Sequence, residues 1–104
     1  MKPEQKQLNL LGLATRAGKL VTGDELTTKA IQKKQAKLVV VASDASDNTK
    51  DKMQNKCTFY NVPLDISFTK DEIGQAIGKN RSICAFTEKG FVDSYLKLKG
   101  TNNI

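Results

Sequence analysis

From Glu4 to Ala17 apolar residues recur at spacings of three and four, and Leu8, Leu10, Leu11, Leu13, Ala14 and Ala17 form the stripe of an amphipathic helix. Gly18 fits its stop, where a left-handed residue is usually needed. Lys19 to Thr22 then reads as a very short strand. Gly23 and Asp24 open a second helix, running to about Gln35, whose first turn holds Asp24 and Glu25 at the positive end of the helix dipole.

The pattern changes at Lys37 to Ala42 (KLVVVA), a continuous β-branched run of the kind a strand shows when both faces are covered, and so the expected centre of a sheet. Ser43 to Ser46 reads as a turn and helix cap leading into a polar helix over about Asp47 to Lys56, with Met53 and Cys57 facing inward. Pro63 to Ser67 is a further strand. Thr69 and Glu72 stand at capping-box spacing, and the helix they open continues to Gly78. Ser82 to Thr87 (SICAFT) is the last strand, and Phe91, Val92, Tyr95, Leu96 and Leu98 stripe a closing helix that ends at Gly100, with GTNNI as a frayed tail. Helix and strand alternate throughout, which calls for helices on both faces of one small sheet, mostly parallel or mixed. The expected fold is a three-layer α/β/α sandwich.

At 104 residues and 38% hydrophobic content, the chain is expected to form one domain spanning 1–104. No apolar run approaches the ~20 residues that span a bilayer, and the N-terminus lacks a signal-peptide core, so a cytoplasmic protein without membrane contact is expected. Cys57 and Cys84 have no CxxC spacing and histidine is absent, so no metal site and no cofactor are expected. The missing histidine also removes the commonest general base, and no catalytic residue is assigned. Charge adds a positive indication. Lys and Arg outnumber Asp and Glu by 17 to 11, and residues 1–37 hold eight basic side chains against three acidic. Such a concentration is an electrostatic footprint for a polyanion, or else a solubilising face.

The stretch RAGKLVTGDELTTKAI (16–31) invites comparison with phosphate loops. A P-loop needs glycine, four residues, glycine, lysine and a hydroxyl residue; here five residues separate Gly12 from Gly18, Gly12 lies within a helix, and Leu20 takes the hydroxyl position. What survives is a glycine turn before an exposed helix start, with Lys29 and Lys33 one turn apart on one flank. Free amides backed by cations can grip a phosphate backbone. A solvated helix face on which Glu25 pairs with Lys29 is the competing reading.

The run GDELTTKAIQKKQAKLVVVASDAS (23–46), the Val62-Pro63 strand start and DEIGQAIGK (71–79) resemble the small ribosomal proteins of the L-seven-Ae and L-thirty-e family across nearly the whole chain. NLLGLATRAGKLVTG (9–23) is similar to that family's bacterial YlxQ-like branch. The resemblance implies a single α/β/α sandwich and, as in many members, binding of kink-turn RNA by the glycine turn, the following helix start and a loop before the last strand. On that basis Gly23 is the glycine, Glu25 and Leu26 the base-reading pair and Lys29 the helix lysine, while Lys79, Asn80, Arg81, Ser82 and Ile83 form the covering loop.

Two departures qualify what the resemblance implies. Leu26 puts an aliphatic side chain where kink-turn readers carry a second hydrogen-bonding one, and the covering loop is short and basic (GKNRS). Both favour recognition of shape and backbone over base edges. The expectation is a monomeric, non-catalytic protein on structured RNA, with ribosomal RNA the expected class and ribosomal or translation proteins as neighbours. Arg16, Lys19, Lys29, Lys33, Lys79 and Arg81 would contact phosphate beside Asp24 and Glu25, and Leu26 and Ile83 would pack against sugar or base. A protein-docking patch built on Leu26 and Ile83 is the alternative.

Overall fold

The computed structural model describes residues 2–101. Among them the order of elements is α1 (Pro3–Arg16), β1 (Leu20–Thr22), α2 (Asp24–Gln32), β2 (Leu38–Val41), α3 (Asp47–Tyr60), β3 (Leu64–Ile66), α4 (Lys70–Ile77), β4 (Ile83–Phe86) and α5 (Lys89–Thr101). The strands form one mixed sheet in the order β1-β4-β2-β3. β4 runs antiparallel to both β1 and β2, and β2 is parallel to β3. It follows that β1, β2 and β3 point the same way and end on one edge of the sheet, the edge at which β4 begins.

The two central strands are fully buried, as the KLVVVA run predicted for β2. Side chains alternate between faces along a strand, so β2 supplies both halves of the core. Leu38 and Val40 pack with Leu11, Ala14, Ile73, Ile77, Phe86 and Tyr95 beneath α1, α4 and α5. Val39 and Val41 pack with Ala30, Ile31, Met53, Cys57 and Ile83 beneath α2 and α3. The three-layer α/β/α sandwich is the result. Within its first layer Gly12 lets α1 lie against α4, since a Cβ there would stand 2.8 Å from the Ala76 carbonyl oxygen.

Several element ends differ from the sequence reading, each for a local reason. α2 stops at Gln32 rather than near Gln35, because Lys34 takes a left-handed turn (φ 60°) and the Gln35 and Ala36 N–H groups return to the Ala30 carbonyl. α3 continues past Lys56 to Tyr60, ended by Asn61 in the left-handed region that asparagine tolerates. α5 runs through Gly100 to Thr101, and residues 102–104 of the expected tail lie outside the described residues. Along α1, Leu11 and Ala14 are buried while Leu13 is 47% exposed.

One polar cluster inside the fold closes on itself. Asp65 on β3 is 3% exposed and accepts hydrogen bonds from Tyr95 Oη (2.7 Å), Ser67 Oγ (2.7 Å) and the Lys99 ammonium, fastening α5 to the edge strand. Burial alone would raise its carboxyl, but the Lys99, Ser67 and Tyr95 bonds outweigh it and hold the group below the usual carboxylate range. Burial pushes the Cys57 thiol up to about 11 and Cys84 up to about 12, leaving both protonated at neutral pH.

Candidate nucleic-acid interface

Because β1, β2 and β3 end on one edge, the helices that follow them start there, and β4 begins among them. Backbone bonds tie these loops into a row: Gly23 N–H donates to the Ile83 carbonyl at 2.8 Å, Ala42 N–H to Ser82 at 2.8 Å, and Ser43 N–H to Phe68 at 2.7 Å. Lys70 N–H donates to Asp44 Oδ1 at 2.9 Å. Between them opens a surface pocket of about 260 Å³ lined by Gly23, Asp24, Thr49, Lys70 and the loop from Asn80 to Ile83. Ligands of open α/β sheets generally sit at this edge, outside the carboxyl ends of the strands.

Three helix starts face the edge and they are finished differently. Ser46 Oγ caps α3 by accepting from Thr49 N–H at 3.1 Å. Thr69 and Glu72 close α4 with the capping box their spacing predicted. α2 has no side-chain cap: its N-cap is Gly23, at φ 88° and ψ 162°. That backbone region is essentially restricted to glycine. A Cβ on Gly23 would stand 3.6 Å from Arg81 Nε, an ordinary contact, so in the free protein the requirement for glycine lies in the backbone angles. The first amides of α2 therefore face the pocket rim without a side-chain acceptor, at the positive end of the dipole, and a phosphate oxygen would supply what the sequence withholds.

The side chains around this start divide by what they already hold. Asp24 would oppose an anion, but Lys52 of α3 pairs with it at 2.9 Å and, with Thr28, keeps its carboxyl below the usual range. Glu25 pairs with Lys29 at 3.4 Å on an exposed helix face, as the competing sequence reading expected. Leu26 is 55% exposed. Arg81 lies over Gly23 and donates to its neighbour's carbonyl, Asn80 O, at 3.1 Å. Lys79 lines an adjoining hollow of about 400 Å³ with Lys70, Asp71 and Asn80.

Not every expected residue comes to this place. Ile83 is 4% exposed and its side chain belongs to the core under α2 and α3, so the rim receives its backbone carbonyl and not an apolar surface. Lys33 is exposed but caps the far end of α2, about 14 Å along the helix from Asp24. Lys19 lies at the opposite edge, where its carbonyl accepts from Thr87 N–H and its ammonium stands 3.8 Å from Glu88. Arg16 lines a separate groove between α1 and α4 with Gln5, Asn9, Glu72 and Gln75. Thr49, Lys52 and Lys70 are additions that the sequence reading lacked. Lys70 directly follows the capping-box threonine and could have been placed at a helix start; nothing local announces the Lys52 pairing across 28 residues.

No helix among the described residues is long and apolar enough to cross a membrane. Residues 5–95 match the family described as Ribosomal protein L7Ae/L30e/S12e/Gadd45 family. The chain is similar to the RNA-binding protein YlxQ of Enterococcus faecium, 51% identical over 94 residues that cover 90% of this chain and 91% of the relative. It is 42% identical over 90 residues to the RNA-binding protein YlxQ of Bacillus subtilis (strain 168), covering 86% and 90% of the two chains. A solved structure of a protein with unknown function from Bacillus halodurans C shares the fold at a TM-score of 0.85 and 40% identity, covering 89% of this chain and 95% of that one. The Giardia lamblia 15.5kD RNA binding protein matches at a TM-score of 0.79 and 18% identity, over 95% of this chain and 86% of that one, and so shares the fold. With helix order, sheet and family pattern in agreement from the first helix to the last, the chain belongs to the Ribosomal protein L7Ae/L30e/S12e/Gadd45 family.

Proposed function

We propose that the chain is a monomeric, non-catalytic RNA-binding protein of the cytoplasm, docking on structured, kink-turn-like RNA, with ribosomal RNA the expected class. The observation that carries this reading is the uncapped start of α2 at Gly23, lying beneath Arg81 while the neighbouring helix starts are closed. Open amides and a guanidinium favour phosphate, and pairing of Asp24 with Lys52 removes the charge that would repel it. The names of the two YlxQ relatives support RNA as the polyanion. Leu26 offers sugar or base an apolar surface and no hydrogen bond, so recognition rests on backbone and shape. Protein docking through Leu26 and Ile83 loses its support, because the Ile83 side chain is buried.

The test compares wild type, Leu26→Gln and Arg81→Gln on an intact kink-turn and on one with disrupted G·A pairs, at fixed salt. Wild type is expected to separate the two RNAs weakly. Leu26→Gln should widen the gap by about 1–3 kcal/mol, the worth of a well-placed contact to a base edge. Arg81→Gln should weaken both alike and reduce the salt slope by about one unit. A strong wild-type preference for the intact kink-turn would mean that another residue reads the bases, and indifference to Arg81→Gln would move the interface elsewhere.

A further inference from the structure

Lys33, Lys34 and Lys37 gather at the far end of α2, on the edge of the sheet opposite Gly23. Lys37 donates its ammonium to the Lys34 carbonyl at 3.4 Å, and together with Tyr60, Asn61 and Pro63 these two lysines line a pocket of about 300 Å³. Next to it Phe59 stands 78% exposed, its ring edge-on to Tyr60 with centroids 4.9 Å apart at 78°. The backbone that carries the ring is closed by the helix end. Asn61 ends α3 in the left-handed conformation and Val62 N–H donates back to the Cys57 carbonyl at 2.8 Å. Among the described residues none of the three lysines is in an ion pair.

We propose that this edge is a second RNA contact, one that takes single-stranded RNA: Lys33, Lys34 and Lys37 hold phosphates while Phe59, backed by Tyr60, stacks on a base. It rests on the reading that the chain binds RNA but uses a different edge, about 14 Å away along α2. Unpaired cations beside an aromatic ring on a fixed backbone are the combination that sequence-tolerant single-strand binders use. A protein partner fits less well. Phe59 is one large exposed hydrophobic, and the pocket of Ala36, Tyr60, Val62 and Pro63 beside it also carries Lys34, Lys37 and Asn61, whereas the centre of a protein interface is depleted of charge.

The experiment measures fluorescence anisotropy of a labelled short oligouridine, a kink-turn duplex and a polyglutamate peptide of similar length at low and moderate salt. The variants are Phe59→Ser, the double Lys34→Asn/Lys37→Gln, and Arg81→Gln. All alter exposed positions, and asparagine tolerates the left-handed angles of residue 34. Phe59→Ser should weaken oligouridine binding roughly fivefold or more, the low end for one base stack. The double variant should weaken it and lower the salt slope by about 0.7 per lysine. Arg81→Gln should leave oligouridine binding unchanged while weakening the kink-turn. Absence of wild-type oligouridine binding at low salt, or equal loss in Phe59→Ser and Arg81→Gln, would overturn the inference. So would polyglutamate binding as tightly with the same dependence on Phe59, which would make the partner an acidic protein. Kink-turn binding that needs Arg81 beside oligouridine binding indifferent to Phe59 removes this inference alone; the reverse pattern removes the kink-turn reading alone.

Discussion

The buried Asp65 cluster and the start of α2 handle polar groups in opposite ways. Asp65 finds Tyr95, Ser67 and Lys99 within the fold, from an edge strand and the helix that covers it. The first amides of α2 receive no side-chain acceptor, because glycine occupies the N-cap and the nearest carboxylate, Asp24, is turned to Lys52. Left unmet inside, the Asp65 carboxylate would cost about 1–3 kcal/mol or more, and the fold meets it; at the surface, water satisfies the same need until a ligand replaces it. The difference separates what holds this protein together from what it presents.

Breaking the closed cluster should produce the largest loss of stability and leave recognition alone. Asp65→Ala strands a buried tyrosine hydroxyl and an unpaired lysine, and about 3 kcal/mol of unfolding free energy should go in urea titrations near neutral pH, Lys99 being half-exposed. Because the Asp65 carboxyl is held below its unfolded value, its contribution is present above the ordinary carboxylate range and lost as pH falls through the folded value. The gap between wild type and variant should therefore narrow below about pH 4. A gap that persists unchanged in acid would mean that packing, and not the charge, was lost.

At the open start a smaller stability change should accompany a larger functional one. Gly23→Ala forces a side chain into φ 88°, ψ 162°, at a cost of about 1–3 kcal/mol, and distorts the turn that aims the α2 amides. RNA affinity measured where both proteins remain folded should fall with it. Full affinity in the variant would show that the turn is only a hinge of the fold. The Lys52→Ala change sharpens the contrast further. That exposed pair contributes at most about 1 kcal/mol to stability, but its loss leaves Asp24 facing phosphate. Binding should weaken severalfold and return in the Lys52→Ala/Asp24→Asn double variant. Failure of the rescue would reduce Lys52 to one more surface cation.

Closures made between neighbouring residues were legible; the Asp65 cluster, assembled across 30 and 34 residues, was not. Capping chemistry is written in neighbouring residues, so Thr69 with Glu72, Gly18 after α1 and Gly78 after α4 could be read directly, as could the doubly covered KLVVVA strand. The start of α2 was legible too, as a glycine before an acidic turn. What surrounds it was not, because strand order decides it: β4 lies between β1 and β2, and that placement brings the loop from Asn80 to Ile83 onto Gly23 and Lys70 beside it. Charge misled for the same reason. The eight basic residues of the first 37 are close in sequence, yet α2 alone separates Lys33 from Gly23 by its full length, and β1 places Lys19 at the other edge. For Ile83 the SICAFT run gave a strand and the resemblance a covering loop; its pairing with Val41 bears out the strand and puts its side chain under the helices.

An amide-resolved NMR titration of the protein with kink-turn RNA tests the central claim most directly, since the claim concerns particular N–H groups. The largest shifts should fall on Asp24, Glu25 and Leu26 and on Asn80 to Ser82, while the capped first turn of α4 beyond Lys70 moves little. Largest shifts along the groove between α1 and α4, with the first turn of α2 unmoved, would contradict it.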